Sequence, residues 1–127
     1  MAETKRLPDA EFELMKIIWR NPSPITTAKM MEKLDVKRKW KPQTVLTMLV
    51  RLVEKEFLTS EKIGRERNYT PVVMEEDYMK IETGNFMSRY HGHSVGSLIK
   101  TMYDGEEMNE EELSELHAWL EEKRRST

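Results

Sequence analysis

Residues 37–53, KRKWKPQTVLTMLVRLV, decide the fold of this chain. A cationic loop ends in Trp40-Lys41-Pro42 and leads directly into a helix with two different faces. One face is an apolar stripe at helical spacing, formed by Val45, Met48, Leu49 and Leu52. The other face contains four polar residues and one leucine: Gln43, Thr44, Leu46, Thr47 and Arg51.

The polar face has the side chains of a DNA recognition helix. Gln, Thr and Arg suit base edges and phosphates, and a small apolar group can meet a thymine methyl. We therefore predict that the base-reading residues are Gln43, Thr44, Leu46 and Thr47. For this segment alone, an ordinary solvated helix face is the competing interpretation.

The segments around this helix complete a recognisable order of elements. Residues 9–20 have helical periodicity, residues 21–24 contain two prolines, and Thr26 is a plausible N-cap for a second helix over 27–35. After the third helix the period changes from 3.6 to 2, and residues 58–62 and 67–72 flank a turn containing Gly64. Three helices followed by a β-hairpin wing predict a winged helix-turn-helix domain over residues 1–72.

Cations surround the predicted recognition helix and occupy the tip of the hairpin. We predict that phosphates are bound by Lys37, Arg38, Lys39, Lys41, Arg51, Lys62, Arg65 and Arg67. Exposed hairpins also carry charges to prevent edge-to-edge aggregation, which is the alternative role for the last three.

The second half of the chain differs in charge and pattern. Residues 1–70 hold 15 Lys and Arg against 10 Asp and Glu, whereas residues 71–127 hold 6 against 13. Three amphipathic helices without an obvious core of their own predict a dimerisation region over residues 73–127. The expected contact set is Leu98, Ile99, Met102, Leu113, Leu116 and Leu120. The alternative is that these helices fold back on the first domain.

Several classes of protein are disfavoured. The chain has no cysteine, so disulfides and thiolate chemistry are excluded. It lacks catalytic or phosphate-binding motifs, and His91 and His93 have no suitably spaced third ligand, so we predict no enzyme, no metal and no cofactor. Without an apolar segment long enough to span a bilayer or act as a signal peptide, we expect a cytoplasmic protein with no membrane insertion.

The residues also resemble a family. The pattern Glu11, Met15, Trp19, followed by Trp40-Lys41-Pro42-Gln43-Thr44-Val45, Leu49-Val50-Arg51-Leu52 and Asn68-Tyr69-Thr70-Pro71, is similar to that of the BlaI/MecI repressors, also called penicillinase repressors. The resemblance implies a homodimeric winged-helix repressor of a palindromic operator upstream of resistance genes. It also implies release from the operator when a membrane sensor protease system leads to proteolysis of the repressor.

Several features depart from the family pattern, among them Pro8, which stands where a capping residue precedes the first helix. Leu46 stands where a basic residue is common, Lys41 where Ser or Thr usually caps the helix, and Glu56 where Gly is preferred. The bond matching the family's cleavage site is Thr101–Met102. Two alternatives to a protease-released repressor remain at this point: a winged-helix adaptor that binds proteins without DNA, and a repressor gated by a small ligand.

Overall fold

The computed structural model describes residues 6–34 and 39–126 of the chain. The helices are α1 (Asp9–Trp19), α2 (Thr27–Lys33), α3 (Pro42–Glu54), α4 (Glu75–His91), α5 (Val95–Asp104) and α6 (Glu110–Arg125). The strands are β1 (Ile25–Thr26), β2 (Leu58–Ile63) and β3 (Glu66–Pro71). The chain forms two compact units, Met1–Glu82 and Thr83–Thr127, and α4 contributes to both. The boundary predicted from the sequence, after residue 72, precedes this helix.

The sheet of the N-terminal unit is antiparallel, with strand order β1-β3-β2. The hairpin β2–β3 confirms the predicted wing, and its register pairs Lys62 with Arg67 beside the turn. The strand β1 was not predicted, because two residues are too few to show the alternating pattern of a strand. It joins the sheet by pairing Ile25 with Tyr69.

The starts of α2 and α3 follow from local sequence, except at the N-cap of α3. Thr26 caps α2 as predicted, since its side chain accepts a hydrogen bond from the Lys29 N–H at 3.2 Å. Pro42 lies in the first turn of α3, where the missing N–H has no helical partner to lose. Lys41 occupies the N-cap of α3 without a side-chain cap, a loss of about 1 kcal/mol relative to Ser or Thr.

The helix α3 ends in a Schellman motif, and Glu56 occupies its left-handed position. The Phe57 N–H donates to the Leu52 carbonyl at 2.9 Å, and the Glu56 N–H donates to the Val53 carbonyl at 3.0 Å. Phe57 and Leu52 are both buried, which supplies the accompanying apolar contact. Glu56 has a φ of 64°, the left-handed conformation that glycine adopts most easily. The helix therefore ends in a left-handed residue although that residue is glutamate and not glycine.

We expect Glu56→Gly to stabilise the N-terminal unit by about 1 kcal/mol. The left-handed conformation costs an L-residue roughly 1–2 kcal/mol, part of which is returned as the larger unfolded-state entropy of glycine. Urea denaturation followed by circular dichroism measures the change. Glu54→Gly, at a helical position of α3, is the matched control and should destabilise. A loss of stability in both variants would contradict the role assigned to Glu56.

The core of the N-terminal unit joins all of its elements. Its fully buried side chains include Leu14, Ile18, Met30, Leu49 and Phe57. The first turns of α4 belong to this core as well. Tyr78 is buried among Phe12, Trp19 and Phe57, with ring centroids between 5.6 and 5.7 Å away, and its hydroxyl oxygen accepts a hydrogen bond from the Leu7 N–H at 2.8 Å.

The residues of the first family motif all serve this core. Glu11 is buried and its carboxylate pairs with the Lys55 ammonium at 2.5 Å. Met15 is fully buried, and the Trp19 indole N–H donates to the Val73 carbonyl at 2.8 Å. The motif therefore fixes α1 against the end of α3 and the segment that follows β3.

The C-terminal unit has ordered helix ends but little core. Asn109 and Glu112 form the predicted capping box of α6, and Ser94 caps α5. The Tyr103 hydroxyl donates to the Glu110 carboxylate at 2.9 Å, and this bond raises the pKa of Tyr103. Within the described part of the unit, Met87 alone is buried. Two helices that bury no residue of their own need another surface to cover them.

Candidate nucleic-acid interface

The helix α3 presents two faces, as the sequence predicts. Its apolar stripe lies in the core, with Val45, Leu49 and Leu52 fully buried and Met48 nearly so. All the proposed base-reading residues, Gln43, Thr44, Leu46 and Thr47, are exposed. Because the buried face packs between α1, α2 and β2, the exposed face is held by a rigid scaffold.

The exposed face of α3 consists of two parallel rows at i, i+4 spacing. One row is polar and contains Gln43, Thr47 and Arg51, which all lie in solvent. The second row is apolar and contains Leu46 and Val50, which are 40% and 58% exposed. The sequence analysis assigned Val50 to neither face of the helix. Its position lies outside the apolar stripe, and its side chain is not polar.

The polar row carries a hydrogen bond that fixes the role of one hydroxyl. Thr47 donates its hydroxyl proton to the Gln43 carbonyl at 3.0 Å. The oxygen of Thr47 therefore faces solvent as an acceptor, and its methyl is available for apolar contact. An acceptor there suits the amino group of adenine or cytosine in the major groove, and the Gln43 amide suits a bidentate contact with adenine.

Cations flank α3 at its start and on its exposed face. Lys39 and Lys41 precede the helix and are exposed, and Lys39 adopts a φ of 47°. Arg51 extends the polar row by one turn. Lys37 and Arg38, which were also predicted to bind phosphates, lie outside the described residues.

The wing adds a second group of cations. Lys62, Arg65 and Arg67 are all exposed at the end of the β2–β3 hairpin. Gly64 has a φ of 65° at the first position of the two-residue turn, the arrangement typical of a type II′ hairpin. The Arg67 guanidinium donates to the Ser60 hydroxyl at 3.1 Å, which holds it along the strand. Arg65 projects from the tip and makes no ion pair within residues 6–34 and 39–126.

The predicted dimer residues all lie on α5 and α6 in the C-terminal unit. Leu98, Ile99, Met102, Leu113 and Leu116 are half-buried within a single chain, and Leu120 is 49% exposed. The neighbouring Trp119 is 52% exposed and was not part of the predicted set. The candidate cleavage bond Thr101–Met102 lies inside α5, where the Thr101 hydroxyl donates to the Ser97 carbonyl at 2.8 Å.

The structure offers little support for other kinds of site. In the part of the chain that the structure describes, no group of three or more His, Asp or Glu side chains converges as metal ligands would. Over the same residues, no helix has the length and apolar character needed to cross a bilayer. A cleft of about 330 Å³ beside α1 is lined mainly by polar side chains, of which Lys16 pairs with Glu13 and Arg20 with Glu75.

Comparison with known proteins identifies the family. The sequence profile described as the penicillinase repressor matches residues 7–122. The chain belongs to the penicillinase repressor family. A penicillinase repressor of Bacillus licheniformis is 34% identical over 122 residues, which cover 96% of this chain and 94% of that relative. The methicillin resistance regulatory protein MecI of Mammaliicoccus sciuri is 27% identical over 121 residues, covering 95% and 98%.

Solved structures agree with this assignment. The solution structure of the DNA-binding domain of the repressor BlaI is 41% identical, with a TM-score of 0.53, and covers 61% of this chain and 94% of that domain. The monomeric form of Bacillus licheniformis BlaI, solved in complex with the blaP half-operator, matches at 41% identity with a TM-score of 0.50. The predicted family, the winged-helix fold class and the prediction of a DNA-binding repressor rather than an enzyme are thereby confirmed.

Proposed function

We propose that this penicillinase repressor family member acts as a homodimer on a palindromic operator, with α3 in the major groove. The observation that carries the proposal is the exposed face of α3, where Gln43, Thr44 and Thr47 stand on a helix whose other face is buried. A helix fixed in this way presents its side chains to bases at little entropic cost on binding. The match to a BlaI structure solved with a half-operator supports binding of operator DNA.

The phosphate contacts come from two places in the N-terminal unit. Lys39, Lys41 and Arg51 flank α3, and Lys62, Arg65 and Arg67 extend along the wing. Lys37 and Arg38 complete the proposed set from sequence. These cations supply affinity that depends on salt, because each phosphate contact releases a condensed counterion. The base-reading residues supply sequence preference.

The C-terminal unit pairs two copies of the chain. Its helices α5 and α6 bury none of their own residues, whereas Leu98, Ile99, Met102, Leu113, Leu116 and Leu120 line up on apolar stripes. A second copy supplies a matching apolar surface through a two-fold axis. Residues 83–127 hold 5 Lys and Arg against 9 Asp and Glu, and this acidic excess keeps the C-terminal unit off the DNA. On a palindromic operator the two recognition helices of the dimer lie about one helical turn of DNA, or a small multiple of it, apart.

Release from the operator is proposed to follow cleavage of the C-terminal unit at Thr101–Met102 by a membrane sensor protease system. Genes of the resistance type are then no longer repressed. Within a single chain α5 has no buried residue, so the bond becomes accessible to a protease once the dimer contacts of Met102 open locally. Cutting within α5 separates Leu98 and Ile99 from the α6 part of the interface. The two halves of the operator are then bound independently and weakly.

We expect Arg65→Ala to weaken binding to every duplex, and Thr44→Ala to change which duplex is preferred. Arg65 contacts the backbone, which is the same in all sequences, whereas Thr44 contacts base edges. Gel-shift titrations compare a duplex selected by the full chain from a random library with a scrambled duplex of equal length. Arg65→Ala should lower both affinities by a similar factor and reduce the salt slope by about 2, since each protomer of the dimer loses one phosphate contact.

The matched control is Lys80→Ala, which removes one exposed cation from α4. It should leave both affinities within about a factor of two of the unchanged protein, since surface charges away from the contact contribute little. Equal losses on selected and scrambled duplexes for Thr44→Ala would rule out its base-reading role. The absence of duplex binding by the unchanged protein would favour an adaptor function instead.

A further inference from the structure

An apolar row runs along the DNA-facing side of α3 beside the polar one. Leu46 and Val50 are four residues apart, so their side chains are neighbours on the helix surface. They are 40% and 58% exposed, although the same helix buries Val45, Met48, Leu49 and Leu52 completely or almost so. The next position of the row is Glu54, an exposed carboxylate that ends the apolar segment.

The apolar side chains of Leu46 and Val50 can contact an apolar group of the major groove. Thymine presents a C5-methyl group there, and it is the apolar feature by which a protein distinguishes thymine from cytosine. Neighbouring side chains on a helix are separated by about 5–6 Å, which lies between one and two base-pair steps of about 3.4 Å. The pair therefore covers two adjacent base pairs when the polar row of Gln43 and Thr47 lies on the neighbouring bases.

We propose that Leu46 and Val50 form a methyl-reading edge that selects thymine at one or two positions of each half-site. The proposal rests on the proposed DNA-binding function and deepens it by naming the base feature that this chain recognises. Val50 is thereby a specificity-determining residue, and Leu46 acts through apolar contact rather than through a hydrogen bond. The edge defines an operator preference in which thymine methyls are required beside the bases read by Gln43.

The experiment replaces single thymines by deoxyuridine, which removes the methyl group and leaves base pairing unchanged. The full chain first selects duplexes from a random library, and the selected duplex is then synthesised with each thymine replaced in turn. We expect one or two positions per half-site at which the replacement weakens binding about 2–5-fold, the effect of losing one buried methyl. Fluorescence anisotropy at constant salt measures the affinities.

The double variant Leu46→Ala/Val50→Ala identifies the origin of the effect. Both side chains are exposed and alanine favours helix, so the variant retains the fold, which circular dichroism checks. Its affinities for the thymine and deoxyuridine duplexes should be equal at the sensitive positions. The matched control Met79→Ala removes an exposed apolar side chain from α4 and should preserve the difference.

Three results would overturn the proposal, and they are distinguishable. If the unchanged protein binds all deoxyuridine duplexes as well as the parent duplex, the methyl-reading edge is wrong while DNA binding stands. If the difference persists in the double variant, the methyl is read by other residues. A protein that selects no duplex at all contradicts the proposed function itself, and the methyl-reading edge with it.

Discussion

Replacing Leu116 by aspartate is expected to separate the dimer and to lower the affinity for a symmetric operator by about 100-fold or more. Leu116 is half-buried within one chain, on the α6 stripe that it shares with Leu113 and Leu120. In a dimer it becomes fully buried, where a charge without a partner is strongly unfavourable. Without the second copy, the second half-site loses the high effective concentration that tethering provides.

Analytical ultracentrifugation measures the dissociation, and gel shifts measure binding to the full operator and to a single half-site. Half-site affinity should remain unchanged, because the N-terminal unit has its own core. Ser114→Asp adds the same charge at an exposed position of α6 and should leave the dimer intact. A Leu116→Asp protein that remains dimeric at micromolar concentration would show that α6 does not form the interface.

Replacing Lys55 by methionine is expected to destabilise the N-terminal unit by about 3 kcal/mol. The Glu11 carboxylate is 4% exposed and pairs with the Lys55 ammonium at 2.5 Å. Methionine keeps most of the aliphatic stem but leaves a buried carboxylate without its counter-charge. This is a large part of the 5–15 kcal/mol by which small domains are stable.

Glu11→Gln should destabilise the N-terminal unit less than Lys55→Met does. Lys55 is 29% exposed and can turn toward water when its partner carboxylate is removed. Adding Glu11→Gln to Lys55→Met should restore part of the lost stability, since the buried charge is then gone. The control is Lys80→Met, whose pair with Glu76 is exposed on both sides and worth under about 1 kcal/mol. Equal losses in urea denaturation for the Lys55 and Lys80 variants would contradict a structural role for the buried pair.

Much of the fold could be predicted because its signals are local. The apolar stripe of α3, the Thr26 cap, the Asn109–Glu112 capping box and the hairpin around Gly64 each depend on residues that are near in sequence. The strand β1 could not be found in this way, because its two residues become a strand only by pairing with β3. The burial of Tyr78 depends on contacts with α1 and Phe57, which periodicity within α4 does not reveal.

The candidate site was predictable in composition but not in geometry. Spacing alone assigned Gln43, Thr44, Leu46 and Thr47 to one face, and the structure places all of them in solvent. Spacing did not show that the Thr47 hydroxyl donates to the Gln43 carbonyl. This hydrogen bond changes the base groups that Thr47 can contact. Spacing also did not identify Val50 as an exposed residue. An apolar residue on a helix is expected to be buried, and only the structure shows that Val50 is exposed.

The salt dependence of binding to the selected duplex tests the central claim most directly. If the cations around α3 and on the wing contact phosphates in both protomers, the logarithm of the association constant falls linearly with the logarithm of salt concentration, with a slope of about −10 or steeper. Affinity that changes little between low and physiological salt would contradict the claim that this chain binds duplex DNA through α3 and the wing.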